Sequence, residues 1–116
     1  MSDPGIAVHV KWVANALRGD RFEEIWLPAA EAVLDYGATG WAFFRAKDGL
    51  LDFNQWAFVP TKEHFERYWY SDEIGEVRAE AVGLFQVPIL PTYHLIAGMG
   101  SLAPKPAPQT ANAAEG

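Results

Sequence analysis

Two aromatic-rich runs, TGWAFFRA over residues 39–46 and DFNQWAFV over residues 52–59, flank the pair Asp48-Gly49. A turn pair of this kind between two β-forming runs specifies an antiparallel hairpin, because Asp and Gly tolerate the backbone angles that a tight turn needs. Read as a two-residue turn, Asp48-Gly49 also predicts a register. Lys47 faces Leu50, Arg45 faces Asp52, Phe43 faces Asn54 and Trp41 faces Trp56. One face of the hairpin then holds Trp41, Phe43, Arg45, Asp52, Asn54, Trp56 and Phe58. The other holds Ala42, Phe44, Ala46, Phe53, Ala57 and Val59, with Gln55 as its one polar member, and is the better core.

The hairpin sits in the middle of a longer pattern. Ile6 to Val13 alternates, with Ile6, Val8, Val10 and Trp12 on one side and Ala7, His9, Lys11 and Val13 on the other, as a half-buried strand does. Asp20 and Glu23 have the spacing of a capping box. Phe22, Ile25, Trp26, Ala29 and Val33 then follow helical spacing to a natural stop at Gly37, and Pro28 predicts a kink. Beyond the hairpin, Thr61 is placed to cap a second helix with Phe65, Tyr68 and Trp69 on its apolar stripe. Ser71 can restart that helix, Ile74, Val77, Ala81 and Phe85 continue it, and Pro88 ends it. Leu90 to Ala97 is the last strand. The order βαββαβ predicts an α+β, ferredoxin-like fold: a four-stranded antiparallel sheet, strand order 4-1-3-2, with both helices on one face.

Composition narrows the function. A chain of 116 residues has room for one core. We expect the domain over residues 1–100 and a flexible Ala/Pro-rich tail over 101–116, where SLAPKPAPQTANAAEG has too little apolar surface to offset its ordering entropy. The absence of cysteine excludes a disulfide scaffold, a thiolate nucleophile and a cysteine-ligated zinc site. A net charge of −6 argues against a nucleic-acid partner. No apolar run is long enough to span a membrane, and no secretory signal is visible, so the expected location is the cytoplasm. No phosphate loop, nucleophile elbow or HExxH motif is present, and nothing asks for a cofactor.

Five Trp, four Tyr and seven Phe are a large stock of rings for so short a chain. With helices on one side only, the open face is expected to carry His9, Lys11, Trp41, Phe43, Arg45, Asp52, Asn54, Trp56, Phe58 and His94. A face with that many rings is too apolar to leave in water. The economical cover is a second copy, two sheets closing a barrel around an aromatic pocket for a small aromatic ligand. His9 and His94 are the candidate acid–base groups, or else hydrogen-bonded wall residues. A metal site would need a third ligand, and none is expected. Arg45 and Asp52 read as a cross-strand ion pair or as catalytic groups. Lys11 reads as a charge at the barrel mouth or interface. Asn54 must find a partner, in a dimer contact or a ligand. Trp41 and Trp56 can stack on a flat ligand or on each other.

The βαββαβ order, the hairpin WAFFRAKDGLLDFNQWAFV and the helix EHFERYWYSDEIGEVRAE resemble the dimeric α/β-barrel superfamily. It includes antibiotic-biosynthesis monooxygenases, stress-responsive barrel proteins and haem-degrading monooxygenases. The resemblance covers residues 6–98 and implies a homodimer. In the cofactor-free quinone-forming members, Asn and Trp from the sheet, with Tyr and Arg nearby, hold a polycyclic phenol; the matching residues are Asn54, Trp56, Tyr68 and Arg45. It implies a cofactor-independent monooxygenase with Asn54 and Arg45 holding the anion; the open-face reading adds His9 or His94 as base, with Lys11, Trp41, Phe43, Trp56, Phe58 and Tyr68 expected to line the pocket. A non-catalytic binding or interaction module is the alternative. The third reading is a haem degrader, through Trp56 and His64; the first strand here has His9 and Lys11 where those enzymes have an Asn.

Overall fold

The computed structural model describes residues 4–100, so the tail expected over 101–116 lies outside the described residues. Strands β1 (Ile6–Val13), β2 (Gly40–Arg45), β3 (Asp52–Val59) and β4 (Thr92–Leu95) form one antiparallel sheet in the order β2-β3-β1-β4. That is the predicted ferredoxin-like order. β1 runs down the centre because its alternation serves both sides: Val8, Val10 and Trp12 are buried against the helices, and His9 and Lys11 point to the open face. β4 is shorter than the sequence predicts. Pro88 and Pro91 carry no N–H for a ladder, and the segment before Thr92 meets the end of β1 through Gln86 N–H to the Val13 carbonyl, 2.8 Å, and a bridge between Ala14 and Phe85.

Helix α1 (Gly19–Glu31) buries Phe22, Trp26, Ala29 and Ala30 and passes through Pro28 before tightening into a 3-10 turn over Ala32–Tyr36. Gly37 ends it at φ 94°, in the left-handed region where glycine has no Cβ to clash. The capping box at Asp20 and Glu23 does not form; Arg18 is the N-cap and makes no side-chain bond there. Both carboxylates turn instead to Arg45. The second helical run is two helices, α2 (Lys62–Trp69) and α3 (Asp72–Glu80). Ser71 caps α3 by accepting from Ile74 N–H, so the restart at Ser71 is observed. Thr61 is the N-cap of α2, but its hydroxyl bonds His64 Nδ1 at 2.8 Å rather than the backbone.

The hairpin register differs from the expected one. Gly40 pairs with Phe58, Ala42 with Trp56, Phe44 with Asn54 and Arg45 with Phe53. Ala46 N–H bonds the Asp52 carbonyl at 2.8 Å, so the connection is five residues, 47–51, and not Asp48-Gly49 alone. A slip of one residue turns every β2 side chain to the other face. Trp41, Phe43 and Arg45 therefore lie on the helix-covered face, and Ala42 and Phe44 on the open one. Magnitudes explain the choice. Lengthening a loop from two to five residues costs about 0.8 kcal/mol, and Leu50 at φ 64° adds about 1 kcal/mol. In return, two large rings reach the core in place of one. Full burial of such a side chain stabilises by about 1.5–3 kcal/mol, so even partial burial offsets the loop.

Arg45 secures that longer loop. Its Nε donates to the Leu50 carbonyl at 2.8 Å, and its Nη1 reaches Asp20 at 2.9 Å and Glu23 at 3.0 Å. The two carboxylates raise its pKa, the Asp20 hydrogen bond most. The guanidinium fits because residue 19 is Gly, where a Cβ would collide with it. The cross-strand Arg45–Asp52 pair is thus replaced by a tie between the hairpin loop and the first turn of α1.

Candidate functional site on the open sheet face

The open face is assembled from alternate residues of all four strands. Opposite pairs in the ladder are Ala7 and Phe58, His9 and Trp56, Lys11 and Asn54. β4 adds Thr92 beside His9 and His94 beside Ala7, and β2 adds Ala42 and Phe44. His9, Lys11, His94, Asn54, Trp56 and Phe58 stand on the expected face. Trp41, Phe43 and Arg45 do not, because of the register slip. Phe44, 58% exposed, replaces them and was missed for the same reason. The signal that could have found it is Arg45 itself: a buried-side arginine with acids at 20 and 23 needs the register in which it reaches α1.

At the centre of this face, His9 Nε2 lies 2.7 Å from Asn54 Oδ1, and the His9 ring stacks on Trp56 with centroids 4.5 Å apart. His94 lies on the far side of the group, 5.6 Å from Trp56 and 6.5 Å from His9 between ring centroids. A carbonyl oxygen only accepts, so His9 donates from Nε2 and keeps Nδ1 as a lone-pair site in the neutral ring. Thr92 donates its hydroxyl proton to the His9 carbonyl at 3.3 Å, and its oxygen therefore accepts from His94 Nε2 at 3.0 Å. Both imidazoles are held as the same tautomer, each with Nδ1 unengaged among the described residues. Asn54 Nδ2 likewise has no partner among them and keeps two donors. Next to this group, Ala42, Phe44, Trp56, Phe58, Gly98 and Met99 line an open hollow of about 470 Å³.

Tyr68 belongs elsewhere. Its hydroxyl is buried on the covered side, donating to the Ala29 carbonyl at 2.7 Å and accepting from Gln55 Nε2 at 3.1 Å. Gln55 Oε1 accepts from two indoles, Trp12 at 3.0 Å and Trp26 at 2.8 Å. Burial raises the Tyr68 pKa strongly, with the Gln55 bond acting the other way. A tyrosine at helical spacing beside Phe65 and Trp69 sits in the helix–sheet core and cannot reach the open face.

Among the described residues, no group of three or more His, Cys, Asp or Glu could hold a metal ion, and no helix is long and apolar enough to cross a membrane.

The fold is the ferredoxin-like α+β fold, which solved structures described as antibiotic-biosynthesis monooxygenases share. Among solved structures, SnoaB from Streptomyces nogalater, described as a cofactor-independent oxygenase, superposes as an asparagine-to-alanine variant with a TM-score of 0.69 at 10% identity, covering 81% of this chain and 94% of that one. An antibiotic biosynthesis monooxygenase candidate from Nitrosomonas europaea gives 0.73 at 11% identity, over 86% of this chain and 98% of that one. Another from Caulobacter crescentus gives 0.70 at 13%, over 83% and 92%. No protein-family model matches the sequence, and no curated protein matches it.

Proposed function

We propose that the chain is a cytoplasmic homodimer whose open faces close on each other around a pocket for a planar, polycyclic phenol, and that it oxidises this phenol with dioxygen without a cofactor. The observation that carries the reading is the His9–Asn54 pair set against Trp56 on the face that also carries Phe44 and Phe58. Trp56 offers a ring to stack on. His9 Nδ1 is free to take the phenolic proton. Asn54 Nδ2–H is free to hold the phenolate that results. The anion is electron-rich at the ring carbon para to its oxygen. Dioxygen adds there as a C–O bond forms, the peroxide takes a proton, and water leaves as the O–O bond breaks and the carbon loses its hydrogen. The products are one quinone and one water per dioxygen. His94, with its own free Nδ1, is the second candidate base. Arg45 plays no part, because it lies on the other face.

A second copy is the cover that suits Phe44, Trp56 and Phe58, since a symmetric contact pairs the same apolar patch with itself. Sedimentation is expected to give twice the 12.8 kDa chain mass, and Phe44→Glu a monomer. Oxygen uptake with naphthol- and anthracenol-type phenols tests the chemistry. His9→Ala is expected to lower turnover about 100-fold, the lower end for a general base, and Asn54→Ala by a comparable factor. Ligand binding without oxygen uptake on any phenol would leave a binding module and exclude the oxygenase. A Soret shift on haem titration would point to the haem-degrading reading instead.

A further inference from the structure

Lys11 is not used by the chemistry above. It lies directly across the β1–β3 ladder from Asn54, and it is the one Lys or Arg side chain that the register places on the open face. Arg45 is engaged with Asp20 and Glu23, Arg21 with Glu24, Lys62 with Glu66 and Arg78 with the Trp69 carbonyl, while Arg18, Lys47 and Arg67, like Lys11, form no ion pair among the described residues but lie off this face. The Lys11 side chain makes no ion pair and no hydrogen bond among the described residues. Asp52, the acid on the same face, pairs across from Val13 and forms no salt bridge with it. The β1–β4 ladder stops at His9 and Thr92, so the chain swings away beside Lys11 and leaves a hollow of about 380 Å³ lined by Lys11, Val13, Gln86, Val87, Ile89 and Leu90. One ammonium at the edge of this hollow, in a chain of net charge −6, is a local inversion of sign.

We infer that the ligand of this face carries a carboxylate, bound by Lys11, beside the hydroxyl that faces His9 and Asn54. The inference rests on the phenol-binding reading and sharpens it to hydroxylated polycyclic aromatic acids. Opposite Cβ atoms on one face of a ladder are about 4.5–5.5 Å apart. Acid and hydroxyl therefore belong on neighbouring ring positions or on adjacent fused rings. A carboxylate is ionised at neutral pH whereas a phenol is not, so the lysine orients the ring before any proton moves and leaves the hydroxyl to the imidazole.

The test compares 1-hydroxy-2-naphthoate with 1-naphthol by tryptophan fluorescence and calorimetry on the full chain. Wild type is expected to bind the acid about tenfold more tightly, a factor that corresponds to 1.4 kcal/mol. Lys11→Met is expected to bring the ratio of the two affinities near one, and Lys11→Glu to invert it. Circular dichroism checks that both variants are folded. A ratio near one in wild type, or a preference that survives Lys11→Met, overturns the carboxylate assignment while leaving the phenol site standing. If wild type binds neither probe, the phenol site and the carboxylate assignment fall together.

Discussion

Asn54 and Gln55 are neighbours in β3, both carry a side-chain amide, and the sheet sends them in opposite directions. Gln55 is 1% exposed, and its carbonyl takes two indole N–H bonds while its amide nitrogen is bonded to Tyr68. Asn54 is half-buried, gives its oxygen to His9 and leaves its nitrogen unbonded among the described residues. The first amide has both its oxygen and its nitrogen bonded and holds Trp12, Trp26 and Tyr68 in one arrangement. The second has capacity to spare beside a free imidazole nitrogen. A buried polar group with both of its polar atoms bonded serves rigidity, whereas a half-open one with an unbonded nitrogen is able to meet something else.

If that contrast is real, it should appear first in stability. Gln55→Ala orphans two indole N–H groups in the core and is expected to cost roughly 3–5 kcal/mol, at about 1–3 kcal/mol for each unsatisfied group. Urea unfolding measures it, and an equal loss for Asn54→Ala would erase the distinction between the faces. Tyr68→Phe removes one hydroxyl from the same network and should cost about 1–3 kcal/mol at neutral pH.

Tyr68→Phe also carries a pH signature. The folded pKa of Tyr68 is raised by burial above the ordinary value of 10.0. The stability from its protonated hydroxyl is thus fully present below pH 10 and is lost as pH rises beyond it, because the unfolded chain ionises first. Thermal midpoints between pH 9 and 11.5 should fall less steeply in the Phe variant. Burial also raises the Tyr93 pKa, so part of the slope remains.

Arg45→Met should cost about 1 kcal/mol, from the lost bond to the Leu50 carbonyl, with little added by its contacts to Asp20 and Glu23. Most of that loss should persist in 1 M salt. Asn54→Ala should be the smallest, under about 1 kcal/mol, while turnover collapses. A stability loss that outweighs the activity loss would make the open face a dimer seam and nothing more.

Much of this was legible along the chain. The alternation Val8, Val10, Trp12 against His9, Lys11 placed two candidate site residues on the correct face, because a strand's period of two leaves one choice once the core side is known. Ser71 and Gly37 marked helix ends through local backbone demands. The failures have a common cause. Asp48-Gly49 is a turn in isolation, but Arg45 acts with Gly19, Asp20 and Glu23 to favour a longer loop, and its two acids lie 25 and 22 positions before it along the chain. Tyr68 was assigned to the pocket by its residue type, yet its position on the stripe with Phe65 and Trp69 already pointed it inward.

The order of elements, the apolar stripe of each helix and the faces of β1 and β3 are properties of local periodicity, and the chain determines them alone. Which way β2 faces was decided only in three dimensions. A one-residue slip keeps every strand a strand, so local propensity is blind to it, and the outcome turns on which rings find a core and which arginine finds its acids. The pairing of His9 with Asn54, 45 positions apart, is likewise a product of the assembled sheet. A ladder brings such residues together at a spacing that sequence distance does not record.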